Sequence, residues 1–185
     1  MKKYIVSLLF VFSLSQYFPL TCSANDPSFE AGHAIGNAIG NAMGEASYND
    51  RPNANLVEIA NEVLRDKNYT PIVSKENLTI YVNTKYIHLD GTKKKPKIDA
   101  YSLWIITNPK TKEPVYLLSR DRNYYNYQPN QTKLLFSFLY DKNLNLVSYL
   151  KEGSKEKIVK GSIADIQQKF IYDYCSKLNT FNKLS

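Results

Sequence analysis

Histidine, cysteine and paired carboxylates are the residues that most often do chemistry, and this 185-residue chain holds only two histidines and two cysteines. His33 and His88 lie in different segments. His88 and Asp90 are spaced to share one face of a strand. Two such ligands fall short of the three or four protein ligands that a zinc site takes. No Ser-His-Asp or Cys-His arrangement has a local signature, because every version must recruit the same two histidines. The acidic residues are scattered, and the carboxylate separation that glycoside hydrolysis needs is not readable from them. The glycines at 32, 36, 40 and 44 follow no strand and open no βαβ unit, so they form neither a P-loop nor a dinucleotide fingerprint. The chain reads as a non-enzyme, with no metal site and no cofactor.

What remains is recognition chemistry. Arg120, Arg122, Tyr124, Tyr125 and Tyr127 form a basic-aromatic stretch, and Lys93, Lys94 and Lys95 form a basic loop. Arginine and tyrosine dominate many interfaces, so these eight residues are the candidate partner-binding set. The plain alternative is a solvated loop beside an ordinary strand. The 15 tyrosines fit half-buried strands as well as binding surfaces. The sequence carries a net charge of +7, which suits an anionic protein or glycan partner and also serves solubility alone.

These residues must be positioned by elements whose period changes along the chain. From Gly32 to Ser47 a four-residue repeat runs GHAI, GNAI, GNAM, GEAS. It predicts a helix with a glycine stripe, and each of its glycines costs about 1 kcal/mol against alanine. Gly32, Gly36, Gly40 and Gly44 are candidate self-association positions, and residues 31–46 are a candidate membrane-surface contact; the alternative is a helix folded back on its own domain. The repeat is too short and polar to span a bilayer. Residues 48–55 read as a linker, and apolar positions 56, 59, 60, 63 and 64 give a short amphipathic helix ending near Asp66.

After Tyr69 the pattern alternates. Strands are expected at Leu78–Val82, Tyr86–Leu89, Ala100–Thr107, Val115–Ser119, Tyr124–Tyr127, Lys133–Tyr140 and Leu146–Leu150, with turns at Asp90-Gly91, Asn108-Pro109 and Asp141–Asn143. Ser162 caps a helix whose apolar face holds Ile163, Ile166, Phe170, Ile171 and Tyr174. The fold class is α+β: an antiparallel sheet of about five or six strands with a C-terminal helix packed across it, plus the N-terminal glycine-repeat appendage. The division is 1–24 leader, 25–68 helical segment and linker, 69–178 sheet domain, and 179–185 tail, expected to fray.

The leader has the form of a secretory signal peptide. Lys2 and Lys3 precede an apolar run from Tyr4 to Phe12, and Cys22-Ser23-Ala24 offers a small-residue cleavage site before Asn25. Export places the protein in the periplasm or on the outer cell surface and argues against a nucleic-acid partner. Cleavage there removes Cys22 and leaves Cys175 as a single thiol, either buried and inert or paired between molecules.

The stretch from about Asn77 to Cys175 resembles the surface-adhesin protein E family of Gram-negative bacteria. The matching blocks occur in order: IYVNTKYI, SLWIITN, YLLS, LLFSFLYD and GSIADIQQKFIYDYC. The resemblance implies an antiparallel sheet closed by a helix, a tendency to form homodimers, and adhesion to host matrix or plasma proteins. It implies no catalytic residue. The family commonly has a cysteine after its Tyr-x-Ser strand that pairs with the cysteine of the terminal helix. This chain reads YYNYQPN there and lacks that partner for Cys175. The expected function is that of an exported envelope or cell-surface protein binding a macromolecular partner. The alternative is a periplasmic membrane-associated or assembly protein acting through the glycine-repeat helix.

Overall fold

Alternation of apolar and polar side chains from Tyr69 onward builds a sheet in which each strand from β1 to β6 pairs with the next. The computed structural model describes residues 52–108 and 111–184. The leader, the glycine repeat with Gly32, Gly36, Gly40 and Gly44, and the membrane-surface candidate at residues 31–46 lie outside the described residues. The strands are β1 (Tyr69–Lys75), β2 (Leu78–Thr92), β3 (Lys95–Thr107), β4 (Pro114–Tyr124), β5 (Gln131–Tyr140), β6 (Leu146–Leu150) and β7 (Lys155–Lys157). They form a seven-stranded sheet in the order β1-β2-β3-β4-β5-β6, with β7 also paired to β5. Every pairing is antiparallel.

A helix lies on each face. Helix α1 (Ala54–Arg65) begins at Asn53, whose side chain accepts from the Asn55 N–H. Its stripe of Leu56, Val57, Ala60, Val63 and Leu64 packs on Tyr101, Leu118, Phe136, Phe138 and Tyr140. Helix α2 (Ile163–Lys177) begins at Ser162, whose hydroxyl accepts from the Asp165 N–H. Its Ile171 and Cys175 meet Val82, Ile98, Ala100 and Tyr125 on the opposite face. The sequence reading placed one helix across the sheet and assigned the short helix to the preceding segment. The structure packs α1 into the core on one face of the sheet.

Other differences have local causes. The two strands expected at Leu78–Val82 and Tyr86–Leu89 are one strand, interrupted by a register shift between Asn83 and His88. Asn83 is fully buried, and its Oδ1 accepts from the N–H groups of Lys85 and Tyr86 at 2.9 and 3.3 Å, so the polar break is satisfied within the strand. Strands β1 and β7 were not expected; each lies at an edge of the sheet, where one-sided pairing leaves weak periodicity. The tail does not simply fray. Thr180–Lys183 forms a 3-10 turn, and the Phe181 ring sits 5.0 Å from that of Tyr172.

A buried polar row lies on the α2 side. Ser102, Ser119 and Ser137 are direct neighbours on β3, β4 and β5, and all three are buried. Gln167 of α2 donates from Nε2 to the Ser102 hydroxyl at 2.7 Å. The Ser119 hydroxyl donates to Asp121 at 2.8 Å. Asp121 as a residue keeps some exposed surface, yet its carboxyl is desolvated, and burial pushes it up to about 6 against the opposing bonds from Ser119 and Gln167. A raised carboxyl stabilises the fold while protonated. That stabilisation is complete below about pH 4 and is lost as pH rises through about 6, and it amounts to about 3 kcal/mol. Urea unfolding of the wild type between pH 4.5 and 7.5 should therefore show stability falling relative to Asp121→Asn. Parallel pH profiles for the two proteins would refute this assignment.

Candidate functional site

The β2–β3 hairpin carries the lysine loop to the end of the sheet. Gly91 adopts φ +85, and a Cβ there would meet the Lys95 carbonyl at 2.6 Å; only glycine fits this close approach. The turn follows at Thr92–Lys95, where Lys93, Lys94 and Lys95 are exposed. The segment after β4 lies against this hairpin: the Tyr125 N–H donates to the Pro96 carbonyl at 3.1 Å, and Asn126 Nδ2 donates to the Lys94 carbonyl at 3.0 Å. The loop and the aromatic stretch are thus neighbours.

Two tyrosine rings hold two ammonium groups there. The Lys95 Nζ lies 5.3 Å from the Tyr127 ring, and Lys155 of β7 lies 4.4 Å from Tyr124. The rings meet edge to face at 5.5 Å. Such contacts contribute about 0.5–1 kcal/mol each at exposed sites. They also bring the two lysine side chains to one end of the sheet. Lys155 was not among the residues expected from sequence; it reaches the site through the pairing of Lys155 with Lys133 across β7 and β5.

The remaining expected residues have other duties. Tyr124 is only 6 % exposed and Tyr125 4 %, so neither presents a free face to a partner. The Tyr125 hydroxyl donates to the Gln168 carbonyl of α2 at 2.8 Å, and burial holds its phenol far above the usual range. Arg120 and Arg122 point to the α1 side and converge on Asp99, which is 2 % exposed. Arg122 grips it with two bonds, Nε to Oδ1 at 2.6 Å and NH2 to Oδ2 at 2.9 Å. Arg120 adds a longer contact at 3.4 Å while its guanidinium lies 5.4 Å from the Tyr101 ring. The expected recognition surface therefore divides: the lysines and Tyr127 stay on the outside, and the two arginines neutralise an internal charge. Asp99 was the missing signal, a carboxylate within an apolar strand and across from an Arg-x-Arg spacing.

His88 and Asp90 face Asp99 and Lys97 across the ladder. Among the described residues no group of three or more His, Cys, Asp and Glu side chains is placed to hold a metal ion. Cys175 is a buried free thiol, and burial raises its titration range, which disfavours the reactive thiolate. A cleft of about 670 Å³ beside α1 is lined by Glu58, Glu62, Arg65, Asp66, Lys85 and Tyr86 among others. Within it Lys85 pairs with Asp66 at 3.3 Å and the Tyr86 hydroxyl donates to Glu62 at 2.5 Å.

Comparison with protein-family models, with curated proteins and with solved structures gives no match.

Replacing Arg122 with alanine leaves the Asp99 carboxylate buried with only its weaker partner, a loss of about 3 kcal/mol. Urea denaturation should show this fall, and adding Asp99→Asn should recover part of it. An Arg122→Ala variant as stable as the wild type would mean that the carboxylate finds other solvation.

Proposed function

We propose that this chain is an exported, non-enzymatic envelope or cell-surface protein of the protein E type. Its lysine tip binds an anionic macromolecule, either an acidic matrix protein or a sulfated glycan. The observation that carries the reading is the cluster at one end of the sheet: Lys93 and Lys94 exposed at the turn, with Lys95 and Lys155 each held over a tyrosine ring. An array of cations with an aromatic beside it is suited to a polyanion, because several weak contacts act together and steer the approach. A sheet closed by a C-terminal helix also agrees with the architecture that the sequence resemblance implies. The leader supports export, and export would bring the tip into contact with matrix proteins and glycans.

The triple variant Lys93→Glu, Lys94→Glu, Lys95→Glu should leave the fold intact, since all three residues are exposed and only the surface contact of Lys95 with Tyr127 is lost. It should weaken binding to immobilised heparin and to an acidic matrix protein by about 2 kcal/mol, roughly thirtyfold. Wild-type binding should fall as salt rises. Equal retention of wild type and variant on both ligands would remove the reading; loss on only one would identify the partner class.

A further inference from the structure

Three cations stand in line across three strands of the sheet. Arg122 of β4 pairs with Lys133 of β5, and Lys133 pairs with Lys155 of β7. Direct cross-strand partners share a face, and Arg122 fixes which one: it meets Asp99 on the α1 side. The backbones that carry the three side chains are about 4.8 Å apart. Like charges directly opposite each other on neighbouring strands destabilise a sheet, so a row of three is a cost to the fold. The next row toward the lysine tip runs Lys97, Tyr124, Gln131 and Lys157.

Carboxylates on the same half of the face relieve part of this cost. Asp99 accepts both bonds of Arg122, Glu152 pairs with Lys133, and Asp90 lies 4.0 Å from Lys97. Arg120 reaches the occupied Asp99 only at 3.4 Å, and its Nε has no hydrogen-bond partner. Lys155 rests over the Tyr124 ring. Neither Lys155 nor Lys157 has a carboxylate partner among the described residues, and both are exposed. The cations Lys97, Arg120, Arg122, Lys133, Lys155 and Lys157 thus meet only Asp90, Asp99 and Glu152, and an excess of three positive charges remains after every ion pair is counted. The chemistry of the face selects among anionic partners. Neither row contributes an exposed large apolar side chain, so the apolar anchors of a protein interface are missing from them. Tyr124 is nearly enclosed and offers no platform for a stacked nucleobase. A sulfated glycan needs neither feature. Sulfate groups repeated along its chain meet successive cations of the row, and release of their counterions drives binding.

We propose that the row Arg122, Lys133 and Lys155, extended by Lys157, is a binding face for a linear sulfated glycan that lies across the strands on the α1 side of the sheet. This rests on the reading of the chain as a binder of anionic macromolecules, and within that reading it assigns the partner to glycans and not to acidic proteins.

The test measures binding of the full chain to heparin, to heparin stripped of its sulfates and to an acidic matrix protein over a series of salt concentrations. The variant Lys133→Gln, Lys155→Gln, Lys157→Gln spares both arginines and Asp99. At roughly 0.15 M salt it should bind heparin about tenfold more weakly, and the slope of log affinity against log salt should shrink by about three, one for each cation removed. Its melting temperature should stay near that of the wild type, because the ion pair it loses lies at the surface. The single variant Lys157→Gln breaks no ion pair among the described residues and should shrink the slope by about one, so the face is tested even if the triple variant does not fold. Desulfated heparin should bind the wild type at least tenfold more weakly than heparin does. Heparin slopes unchanged in both variants would overturn the proposal while leaving the lysine tip as the binding surface. Desulfated heparin bound as tightly as heparin, or an equal loss by the triple variant on the acidic protein, would overturn the glycan assignment. A wild type that binds neither heparin nor the acidic protein would remove the underlying reading and this face with it.

Discussion

Strand β3 is covered on both faces, and much of the molecule follows from that constraint. Ile98 and Ala100 lie under α2, while Tyr101 faces α1. A strand enclosed in this way has little solvent for its polar groups, so a buried one without a partner in the protein is costly; the Trp104 indole N–H is such a group, and two others are met. Ser102 is met by Gln167 from the helix above it. Asp99 is met by two arginines from the next strand. The helices bring apolar stripes, and they also complete a hydrogen-bonding requirement that the sheet cannot meet alone.

The same constraint sorts the charges. Arg120 and Arg122 lie on the strand that pairs with the enclosed carboxylate, and both point toward it. The lysines of the β2–β3 turn sit where the ladder ends and no helix covers the backbone, so their ammonium groups stay in water. The two ends of the sheet differ accordingly. One presents cations held on tyrosine rings, and the other carries the β5–β6 turn with Leu144 at φ +61. In a meander of adjacent strands the turns fall at one end or the other, and side chains at those turns are free of the packing that fixes the strands between them.

Features set by local rules were the most legible. Leu146–Leu150 was read with the limits that the structure gives it, because a clear turn precedes it and alternation within it is short. Ser162 was read as the cap of α2, because a hydroxyl three residues before an acidic residue satisfies the first free N–H groups of a helix wherever that helix packs. The break at Asn83 misled, since a buried asparagine in a strand looks like a turn until its side chain is seen bonding the next two N–H groups. Tyr124 and Tyr125 misled in the same way: tyrosine has one composition signature whether its ring is exposed or enclosed.

The sequence by itself determined the antiparallel character of the sheet, the limits of its clearest elements and the presence of a lysine turn, because these depend on neighbours a few residues apart. The tertiary structure decided which charges are available. Asp99 and Arg122 are 23 residues apart in the chain, and Lys155 lies farther still from the hairpin it joins. Only the register of β3, β4, β5 and β7 brings them together. A carboxylate that is harmless in water must be neutralised once both faces of its strand are closed, and that closure is a property of the packed molecule and not of any local stretch of sequence.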